Sequence, residues 1–543
     1  MSLLVSKATR RRPRFTGLFF DETAADSGWI REIGALDLPA FDSERTLAVV
    51  GELLPGSIID PTADRAPGLV VAFDGREVAA HPAPPVGPFR LEFNLPAAAA
   101  TGGHQLTLRL TRVRGSNFLA WLGRLTDGWP LFAGLQPWRR QARNRRLRIR
   151  RIEVDGRVLC DFSNRAAPWN PSFTRRLKVG LNLVGHFRAD LGIAESVRCA
   201  ARSADAAGLP VALVDLKLPC KNPMTDATFA ARLQTDNPHP VNVFHVDAPV
   251  SCDLDHHHGA AFRRDKYNIG YWAWELPEFP DAWIQLADYF DEIWAPSRFT
   301  AEAIAEKVPV PVLAMPHSIA FERPAGDFRA KFGLPAGKFL FLFIYDLNSY
   351  SERKNPGAVI EAFRQSGLAD SGAALVIKLH NVAGNEADFE RLRAVAGELP
   401  GTVLIAQTLP RREIYELESA CDCFVSLHRS EGFGLAVAES MFLGKPVIST
   451  NWSATAEFVH EGNGCPVRCR VVTLDRHHGP YAKGSSWAEP DVEHAAWWMR
   501  RLHGKRAHGQ TLGAAARATI EKYYAPAVIG ARYRRRLEAI AGW

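Results

Sequence analysis

The feature that most constrains the fold is a repeated pattern that begins at Leu177, in which short, continuously apolar runs alternate with segments of helical periodicity. Leu177–Val184 is the first of these runs, and a helical segment from Ile193 to Ala207 follows it. Strands that are apolar without alternation are buried on both faces, and their alternation with helices is typical of a parallel sheet covered by helices. The pattern therefore predicts an α/β architecture from Leu177 onward.

This pattern divides into two units in tandem. We assign residues 175–320 to the first unit and residues 330–543, with helices at the C-terminal end, to the second. Both units are predicted to be Rossmann-like, and ligands of open parallel sheets bind beyond the carboxyl ends of the strands. We therefore expect the functional site in the cleft between the two units.

Residues 1–165 have a different pattern of apolar and polar residues. Short alternating segments such as Leu69–Phe73 and Leu106–Thr111 recur, and glycine, proline and aspartate separate them, as in Phe73–Arg76. Short strands with frequent turn signals are typical of an all-β sandwich. The complete prediction is an α/β fold of two tandem Rossmann-like domains preceded by an all-β sandwich domain.

Length and composition exclude several classes of protein. The chain has 543 residues, of which 47% are hydrophobic and 23% charged, which are the proportions of an ordinary globular protein. The longest strongly apolar run is Phe339–Tyr345, far shorter than a membrane-spanning helix, and Leu3–Val5 leads into a basic run rather than a secretory signal. We therefore expect a cytoplasmic protein.

The positive charge of the chain is unevenly placed. The net charge is +7, and eight arginines without any acidic residue lie between Arg139 and Arg151. Such a run is compatible with a solvated face or linker, or with contact to the anionic inner face of the cytoplasmic membrane. No nucleic-acid-binding motif accompanies the arginines, so we expect no nucleic-acid partner.

The sequence predicts neither a metal site nor a cofactor. The eight cysteines lack the paired spacing of a zinc site, and no D-x-D element follows a strand. The run His256–His258 could bind a metal, but a polar loop is its more common use.

The most informative stretch is Glu431–Glu439, which lies between an apolar strand and an amphipathic helix. Gly432 and Gly434 remove side chains where a backbone could approach a ligand closely. The start of the helix supplies free N–H groups and the positive end of a dipole, which suit a diphosphate. A carboxylate one turn inside the helix can bind ribose hydroxyls. A chance pairing of glutamates or a helix-capping role is the alternative.

This E-x7-E element resembles the retaining glycosyltransferases of the GT-B fold and is most similar to family 4. The resemblance extends over about two-thirds of the chain, from Leu177 to Tyr524, because other elements occur in the same order. Ser351–Pro356 resembles the basic loop of that family, and Gly444–Val447 resembles a strand downstream of the glutamates. The aromatic segment Gly270–Glu278 resembles a signature of members that make bacterial surface polysaccharides.

The resemblance implies roles for the residues of the second unit. Glu439 would bind the nucleotide ribose, and Glu431 would contact hydroxyls of the transferred sugar. The backbone N–H groups near the sugar and the phosphates would come from Phe433, Gly434 and Leu435.

The resemblance also implies a cationic diphosphate site. Arg353 and Lys354 would neutralise the diphosphate as the glycosidic bond breaks, which stabilises the transition state electrostatically. The segment Asp346–Ser349 departs from the family, which often has a further arginine there. Arg353 would take the place of that arginine.

Residues of the first unit complete the predicted site. The family's loop beside the phosphates and acceptor corresponds to a segment with Gly185, Gly192 and Glu195, although a simple strand-to-helix turn is the alternative. This segment is not a G-x-G-x-x-G fingerprint, which disfavours a dinucleotide-binding dehydrogenase. Further candidates are His245 and Asp247 near the reacting centre and Glu275 facing the cleft. A purely structural role for the histidine is equally compatible with the sequence.

These implications define a leading hypothesis. The chain would be a retaining, metal-independent glycosyltransferase that moves a mannose-like or glucose-like hexose from a nucleotide diphosphate sugar to a polysaccharide or lipid-linked glycan acceptor. The nucleotide sugar would be a substrate, and no cofactor is expected. The alternatives are a nucleotide-sugar epimerase of the same fold and a carbohydrate-binding protein whose transferase halves are inactive.

Overall fold

The computed structural model describes residues 180–541, apart from residues 221 and 265, and eight segments before them. These segments are 15–20, 27–38, 45–53, 69–73, 76–81, 87–95, 104–110 and 147–162. Most of the arginine run, residues 139–146, therefore lies outside the described residues. No helix in the described part of the chain combines the length and apolarity that crossing a bilayer requires.

The described N-terminal segments form antiparallel strands, which confirms the predicted β structure in these segments. The strands are β1 (Phe15–Phe20), β2 (Ser27–Leu38), β3 (Arg45–Leu53), β4 (Leu69–Phe73), β5 (Arg76–His81), β6 (Gly87–Leu95), β7 (His104–Leu110), β8 (Leu147–Val154) and β9 (Arg157–Asp161). Hydrogen bonds join them in the order β5-β4-β7-β2-β8-β3-β6, with β1 on β2 and β9 on β8. Packing of these strands as a sandwich stays a prediction.

A parallel sheet of seven strands forms the first α/β unit. Its strands are β10 (Leu181–Gly185), β11 (Val211–Asp215), β12 (Leu233–Gln234), β13 (Val241–His245), β14 (Tyr267–Tyr271), β15 (Glu292–Ala295) and β16 (Val312–Ala314). Their order is β12-β11-β10-β13-β14-β15-β16. The helices are α1 (Gly192–Ala206), α2 (Leu254–His258) and α3 (Arg298–Ala305), and the segment Asp281–Tyr289 is a 3₁₀ helix.

A second parallel sheet, of six strands, follows. Its strands are β17 (Phe339–Asp346), β18 (Ala373–His380), β19 (Thr402–Ile405), β20 (Cys423–Ser426), β21 (Val447–Thr450) and β22 (Cys465–Val467), in the order β19-β18-β17-β20-β21-β22. An antiparallel hairpin, β23 (Cys469–Thr473) and β24 (Ser486–Pro490), follows them. The two tandem Rossmann-like units that the sequence predicts are thus confirmed.

The helices of the second unit begin and end where local chemistry favours it. They are α4 (Ser351–Lys354), α5 (Pro356–Ser366), α6 (Glu386–Gly397), α7 (Arg411–Ala420), α8 (Leu435–Phe442), α9 (Val492–Gly504) and α10 (Arg506–Tyr523). In α5, Pro356 occupies the first helical position, where its missing N–H costs nothing, and Gly367 ends the helix with a φ of 66°. The sequence predicted the starts of four of these helices, near Pro356, Glu386, Arg412 and Leu435, and the structure has each of them within one residue.

The last helix, α11 (Pro526–Ala541), returns to the first unit. Ile529, Tyr533 and Leu537 lie at helical spacing and belong to the same buried core as the strands of that unit. Arg536 forms a buried ion pair with Glu292 of β15, with its Nε 3.0 Å from Oε1. Although the predicted boundaries assign this helix to the second unit, its apolar face packs on the first.

Both parallel sheets reverse their strand order at one place. The reversal lies between β10 and β13 in the first unit and between β17 and β20 in the second. Loops that leave the two strands at such a switch point diverge to opposite faces and leave a crevice, which is where ligands of these sheets bind. The two crevices open toward each other, and the candidate site lies between them.

Candidate functional site

One cavity of about 410 Å³ joins the carboxyl ends of the two sheets. Most of the residues that the sequence analysis singles out line it, and they come from both units. They are Gly192, Glu195, Asp247, Glu275, Arg353, Lys354, Glu431, Phe433, Gly434, Leu435 and Glu439. Gly185 and His245 are not among the lining residues.

Glu431 is held between two cations in the wall of this cavity. Its Oε1 lies 2.5 Å from Nζ of Lys354, and its Oε2 lies 3.4 Å from Nη1 of Arg353. Burial by itself would raise the pKa of Glu431, but the charges of Lys354 and Arg353 outweigh burial and lower the pKa to about 2. Glu431 is therefore an ionised, acceptor-only group at neutral pH.

The loop between Glu431 and α8 is compact because glycines occupy its tightest positions. Gly434 has a φ of +93°, and a Cβ there would lie 2.5 Å from Cγ2 of Thr455. A Cβ on Gly432 would lie 3.1 Å from the carbonyl oxygen of Trp274 in the first unit. No side chain caps the start of α8, so the N–H groups of its first turn remain beside the cavity as an anion-binding end.

Glu439, the predicted ribose ligand, is buried inside α8 and forms an ion pair with Arg411. The Nε of Arg411 also lies 3.9 Å from Oε2 of Glu195 in the first unit and donates a hydrogen bond of 3.1 Å to the hydroxyl of Tyr415. Arg411 thus connects carboxylates of both units within the cavity. The sequence analysis did not identify it, because a basic residue at the start of an amphipathic helix carries no distinctive signal.

Glu195 is already neutralised in the structure. Arg198 Nε lies 2.7 Å from its Oε2, and Arg202 contacts its Oε1. Burial would raise the pKa of Glu195, but Arg202, Arg411 and Arg198 outweigh it and hold the pKa far below the usual range. Its carboxylate therefore organises arginines rather than facing a ligand as a free acid.

Asp247 is a carboxylate that lines the cavity and has a raised pKa. Its side chain is open to the cavity, but the two units surround it, and this desolvation raises its pKa to about 6. The negative charge of Glu275 raises the pKa further in the same direction. Asp247 is therefore a lining carboxylate whose protonation changes at a pH of about 6.

His245 and Gly185 lie behind the cavity wall. The Nδ1 of His245 is 2.7 Å from Oγ of Ser196, and its ring stacks on Tyr271 with a centroid distance of 4.3 Å. Burial lowers the pKa of His245 well below its usual value, so the ring is neutral. At Gly185 a Cβ would lie 2.9 Å from Cβ of Val197, so this glycine permits close packing of β10 on α1. Both positions support the site from behind.

Arg353 and Lys354 are adjacent but differ in access to the cavity. Arg353 is 5% exposed, donates a 3.0 Å hydrogen bond to the carbonyl oxygen of Ser430, and lies 3.7 Å from Oε1 of Glu275. The side chain of Lys354 is 21% exposed. Lys354 is therefore better placed to meet an anionic ligand, whereas Arg353 connects the two units.

Lys378 is a further polar residue of the cavity that sequence reasoning missed. It lies on β18 within an otherwise apolar strand, is buried, and donates a hydrogen bond of 3.0 Å to the carbonyl oxygen of Leu379. Burial lowers its pKa to about 8. A lone lysine inside the run Ala374–Leu379 was a visible signal that could have marked it.

Metal-ligand clusters are absent from the described part of the chain, in the sense that no three His, Cys, Asp or Glu side chains come together there. Independence from metal ions stays a prediction.

Comparison with known proteins gives a family match for part of the second unit. Residues 325–470 match the family model described as Glycosyl transferases group 1. This segment contains Lys354, Glu431 and Glu439, and the match supports glycosyltransferase activity. No curated protein matches the chain.

Several solved structures resemble the chain at low sequence identity. Anabaena HepE in complex with UDP-glucose is 14% identical and covers 67% of this chain and 100% of its own, with a TM-score of 0.48. Sucrose-phosphate synthase from Thermosynechococcus elongatus is 15% identical, with coverages of 67% and 100% and a TM-score of 0.48. A glycosyltransferase from Rickettsia africae is 12% identical, with coverages of 66% and 98% and a TM-score of 0.48. Likenesses at this level carry no inference about substrate or mechanism.

Proposed function

We propose that this protein is a retaining, metal-independent glycosyltransferase that moves a hexose from a nucleotide diphosphate sugar to a polysaccharide or lipid-linked glycan. The observation that carries the proposal is the pairing of ionised Glu431 with Lys354 beside the uncapped start of α8. A cation and a helix N-terminus suit a diphosphate, and a carboxylate acceptor suits sugar hydroxyls. The partial family match supports the same reaction class.

In this proposal the donor extends along the second unit. Lys354 and the first-turn N–H groups of α8 bind the diphosphate, Glu431 accepts hydrogen bonds from the hexose, and Glu439 accepts them from the ribose. Because Arg411 pairs with Glu439 in the structure, the ribose hydroxyls would share that carboxylate with Arg411 or displace it. Gly434 and Leu435 bring backbone close to the phosphates.

The reaction breaks the bond between the anomeric carbon and the diphosphate oxygen and forms a bond to an acceptor hydroxyl. Lys354 and the dipole of α8 stabilise the negative charge that develops on the leaving diphosphate. Retention follows if the acceptor attacks from the face that the diphosphate leaves and gives its proton to a phosphate oxygen. Asp247 and Glu275 of the first unit line the opposite wall and can accept a hydrogen bond from the acceptor hydroxyl.

The test measures nucleotide release from a panel of nucleotide diphosphate hexoses, with and without glycan acceptors. We expect acceptor-dependent release with at least one donor and its loss in Glu439→Ala. Glu521→Gln, an exposed change on α10, is the matched control and should keep full activity.

Two other outcomes identify the alternatives. A rearranged sugar formed without any acceptor would indicate an epimerase. Release at background level in both the wild type and Glu439→Ala, together with glycan binding, would indicate a carbohydrate-binding protein and would rule out the transferase.

We further propose that the protein acts in the cytoplasm, at the inner face of the membrane, through the run Arg139–Arg151. In the described part of this run, Arg150 lies 2.5 Å from Glu52 and Arg151 lies 2.7 Å from Glu153, so acids partly offset these charges. The proposed attraction to a membrane therefore rests on the excess of arginines in this stretch of sequence, which contains no acidic residue of its own. Replacing Arg143, Arg145, Arg146 and Arg148 with serine should weaken co-sedimentation with anionic vesicles, and unchanged co-sedimentation would refute membrane contact.

A further inference from the structure

The β23–β24 hairpin belongs to the second unit by its place in the chain, but three of its side chains lie in the core of the first. Leu474, Tyr481 and Trp487 pack in one buried cluster with Trp274, which follows β14. The rings of Tyr481 and Trp274 are 5.6 Å apart. The hairpin therefore joins the two units beside the cavity.

Tyr481 connects this hairpin to the charged centre of the site. Its side chain is 2% exposed, and its hydroxyl donates a hydrogen bond of 3.0 Å to Oε2 of Glu275. The guanidinium of Arg353 lies 5.9 Å from the centre of its ring. Glu275 and Glu431 lie 3.7 and 3.4 Å from the same guanidinium. A continuous polar path thus extends from Tyr481 through Glu275 and Arg353 to Glu431.

The hairpin also contacts Tyr350, the residue that precedes the short helix α4 with its two cations. The ring of Tyr350 meets that of Tyr481 edge to face at 5.6 Å, and a Cβ on Gly479 would lie 2.1 Å from Cε1 of Tyr350. Tyr350 has a φ of 62°, a conformation that is unfavourable for a bulky residue and persists only where the surroundings hold it. Its carbonyl oxygen accepts hydrogen bonds from the N–H groups of Arg353 and Lys354, at 3.0 and 3.1 Å. The hairpin therefore supports the backbone from which both cations project.

A third contact holds the segment just before Glu431. Arg429 Nε donates a 2.7 Å hydrogen bond to Oε2 of Glu489 on β24, and the N–H of Ala488 donates one of 2.9 Å to the carbonyl oxygen of Arg429. The guanidinium of Arg429 also lies 5.5 Å from the Trp487 ring. The hairpin thus contacts the first unit, the residue before α4 and the segment before Glu431.

We propose that the hairpin Cys469–Pro490 is an interdomain clasp and that Tyr481 is a positioning residue, whose hydrogen bond to Glu275 sets the orientation of Arg353 and, through it, of Glu431. The structural part of this inference stands on the contacts alone, and its catalytic consequence rests on the proposed function. Tyr481 is not among the residues that line the cavity, whereas Lys354 and the start of α8 are. Its hydroxyl therefore acts on turnover rather than on donor affinity.

Tyr481→Phe tests the inference because it removes the hydroxyl and keeps the ring in its aromatic cluster. We expect kcat to fall by roughly 10-fold and KM for the donor to stay within about twofold, since a group that orients the reacting centre changes turnover more than ground-state binding. Tyr523→Phe, an exposed tyrosine at the end of α10, is the matched control and should match the wild type. Equal kcat values in the two variants would overturn the positioning role.

Amide hydrogen exchange provides a readout that does not depend on activity. Loss of the clasp should speed exchange at Arg353 and Lys354, whose N–H groups bond to Tyr350, while exchange in the distant strand β12 and Tm stay unchanged. Gly479→Ala, which places a methyl group against the ring of Tyr350, should speed exchange at the same two amides. Unchanged exchange in both variants, or faster exchange across the whole chain with a lower Tm, would contradict the clasp.

These readouts separate the two proposals. Wild-type protein that binds and turns over no nucleotide sugar would refute the proposed function, whereas local exchange in Tyr481→Phe and Gly479→Ala together would still decide the clasp. Turnover by the wild type that Tyr481→Phe leaves intact would refute the clasp and retain the function.

Discussion

The two parallel sheets have the same strand order around their switch points, but the residues at the two switch points have different functions. In the second unit, Glu431 and Lys354 line the cavity. At the corresponding place in the first unit, Glu195 is enclosed by arginines, and His245 lies behind the wall. The Rossmann-like topology therefore creates the crevice in both units. The residues of the loops determine whether its side chains are available to a ligand or are used in packing.

Access to charge is the physical basis of this difference. Glu431 has cationic partners that a bound diphosphate could share, and Lys354 remains partly exposed. The carboxylate of Glu195 pairs with Arg198 and Arg202. Asp190, Asp247 and Glu275 also line the cavity from the first unit. We infer that the second unit holds the donor and the first unit orients the acceptor.

The largest expected effect comes from removing the central charge of the second unit. Glu431→Gln keeps the shape of the side chain but removes the carboxylate that Lys354 and Arg353 share, and we expect kcat/KM to fall by about 100- to 1,000-fold. Steady-state kinetics against the exposed control Glu521→Gln measures it. A loss below about threefold would remove Glu431 from the centre of the site.

A smaller effect is expected at Asp247 in the first unit, with a distinct pH dependence. Because its pKa is raised to about 6, Asp247 is protonated below that pH and ionised above it. If the ionised form orients the acceptor hydroxyl, activity should rise as the pH increases through about 6. Asp247→Asn should lower kcat by roughly 10-fold and abolish this limb of the pH profile. Persistence of the limb in the variant would assign it to another group.

His245 is expected to matter for stability rather than turnover. His245→Phe removes the hydrogen bond between the imidazole and the hydroxyl of buried Ser196, which should reduce the free energy of unfolding by about 0.5–1.5 kcal/mol. Activity per folded molecule should change by less than about threefold, because the ring does not line the cavity. Denaturant unfolding measures the loss of stability, and kinetics normalised to the amount of folded protein measure the activity. A large loss of kcat at unchanged stability would indicate a catalytic role for this histidine.

The smallest effects distinguish the two glycines of the first loop. Gly185→Ala places a Cβ 2.9 Å from Val197 and should destabilise the protein by about 1–2 kcal/mol. A Cβ on Gly192 meets no atom within 4 Å, so Gly192→Ala should leave Tm within about 2 °C of the wild type. Thermal unfolding of both variants compares them, and an equal loss of stability in the two would contradict the packing account of Gly185.

The sequence predicted the two α/β units well because buried parallel strands are continuously apolar. The strand Glu292–Ala295 lies where the pattern places it, and Leu177–Val184 corresponds to Leu181–Gly185 in the structure. Helix boundaries at Pro356 and Leu435 followed from proline and glycine chemistry.

Contacts between distant parts of the chain were beyond such patterns. Tyr481 lies 206 residues from Glu275, and the pattern predicted no strand after Pro446–Ser449, so the β23–β24 hairpin was not foreseen. The same is true of Arg411 and of the return of α11 to the first unit, since periodicity indicates an apolar face but not its partner. Local rules locate elements, whereas tertiary packing selects which side chains meet.

Donor binding by the second unit can be measured by calorimetric titration of the protein with a panel of nucleotide diphosphate hexoses. If the second unit holds the donor through Lys354 and the start of α8, the wild type binds at least one of them and Lys354→Ala weakens that binding by roughly 10-fold or more. If no donor binds, or if Lys354→Ala binds with the same affinity as the wild type, donor binding through Lys354 and the start of α8 would be contradicted.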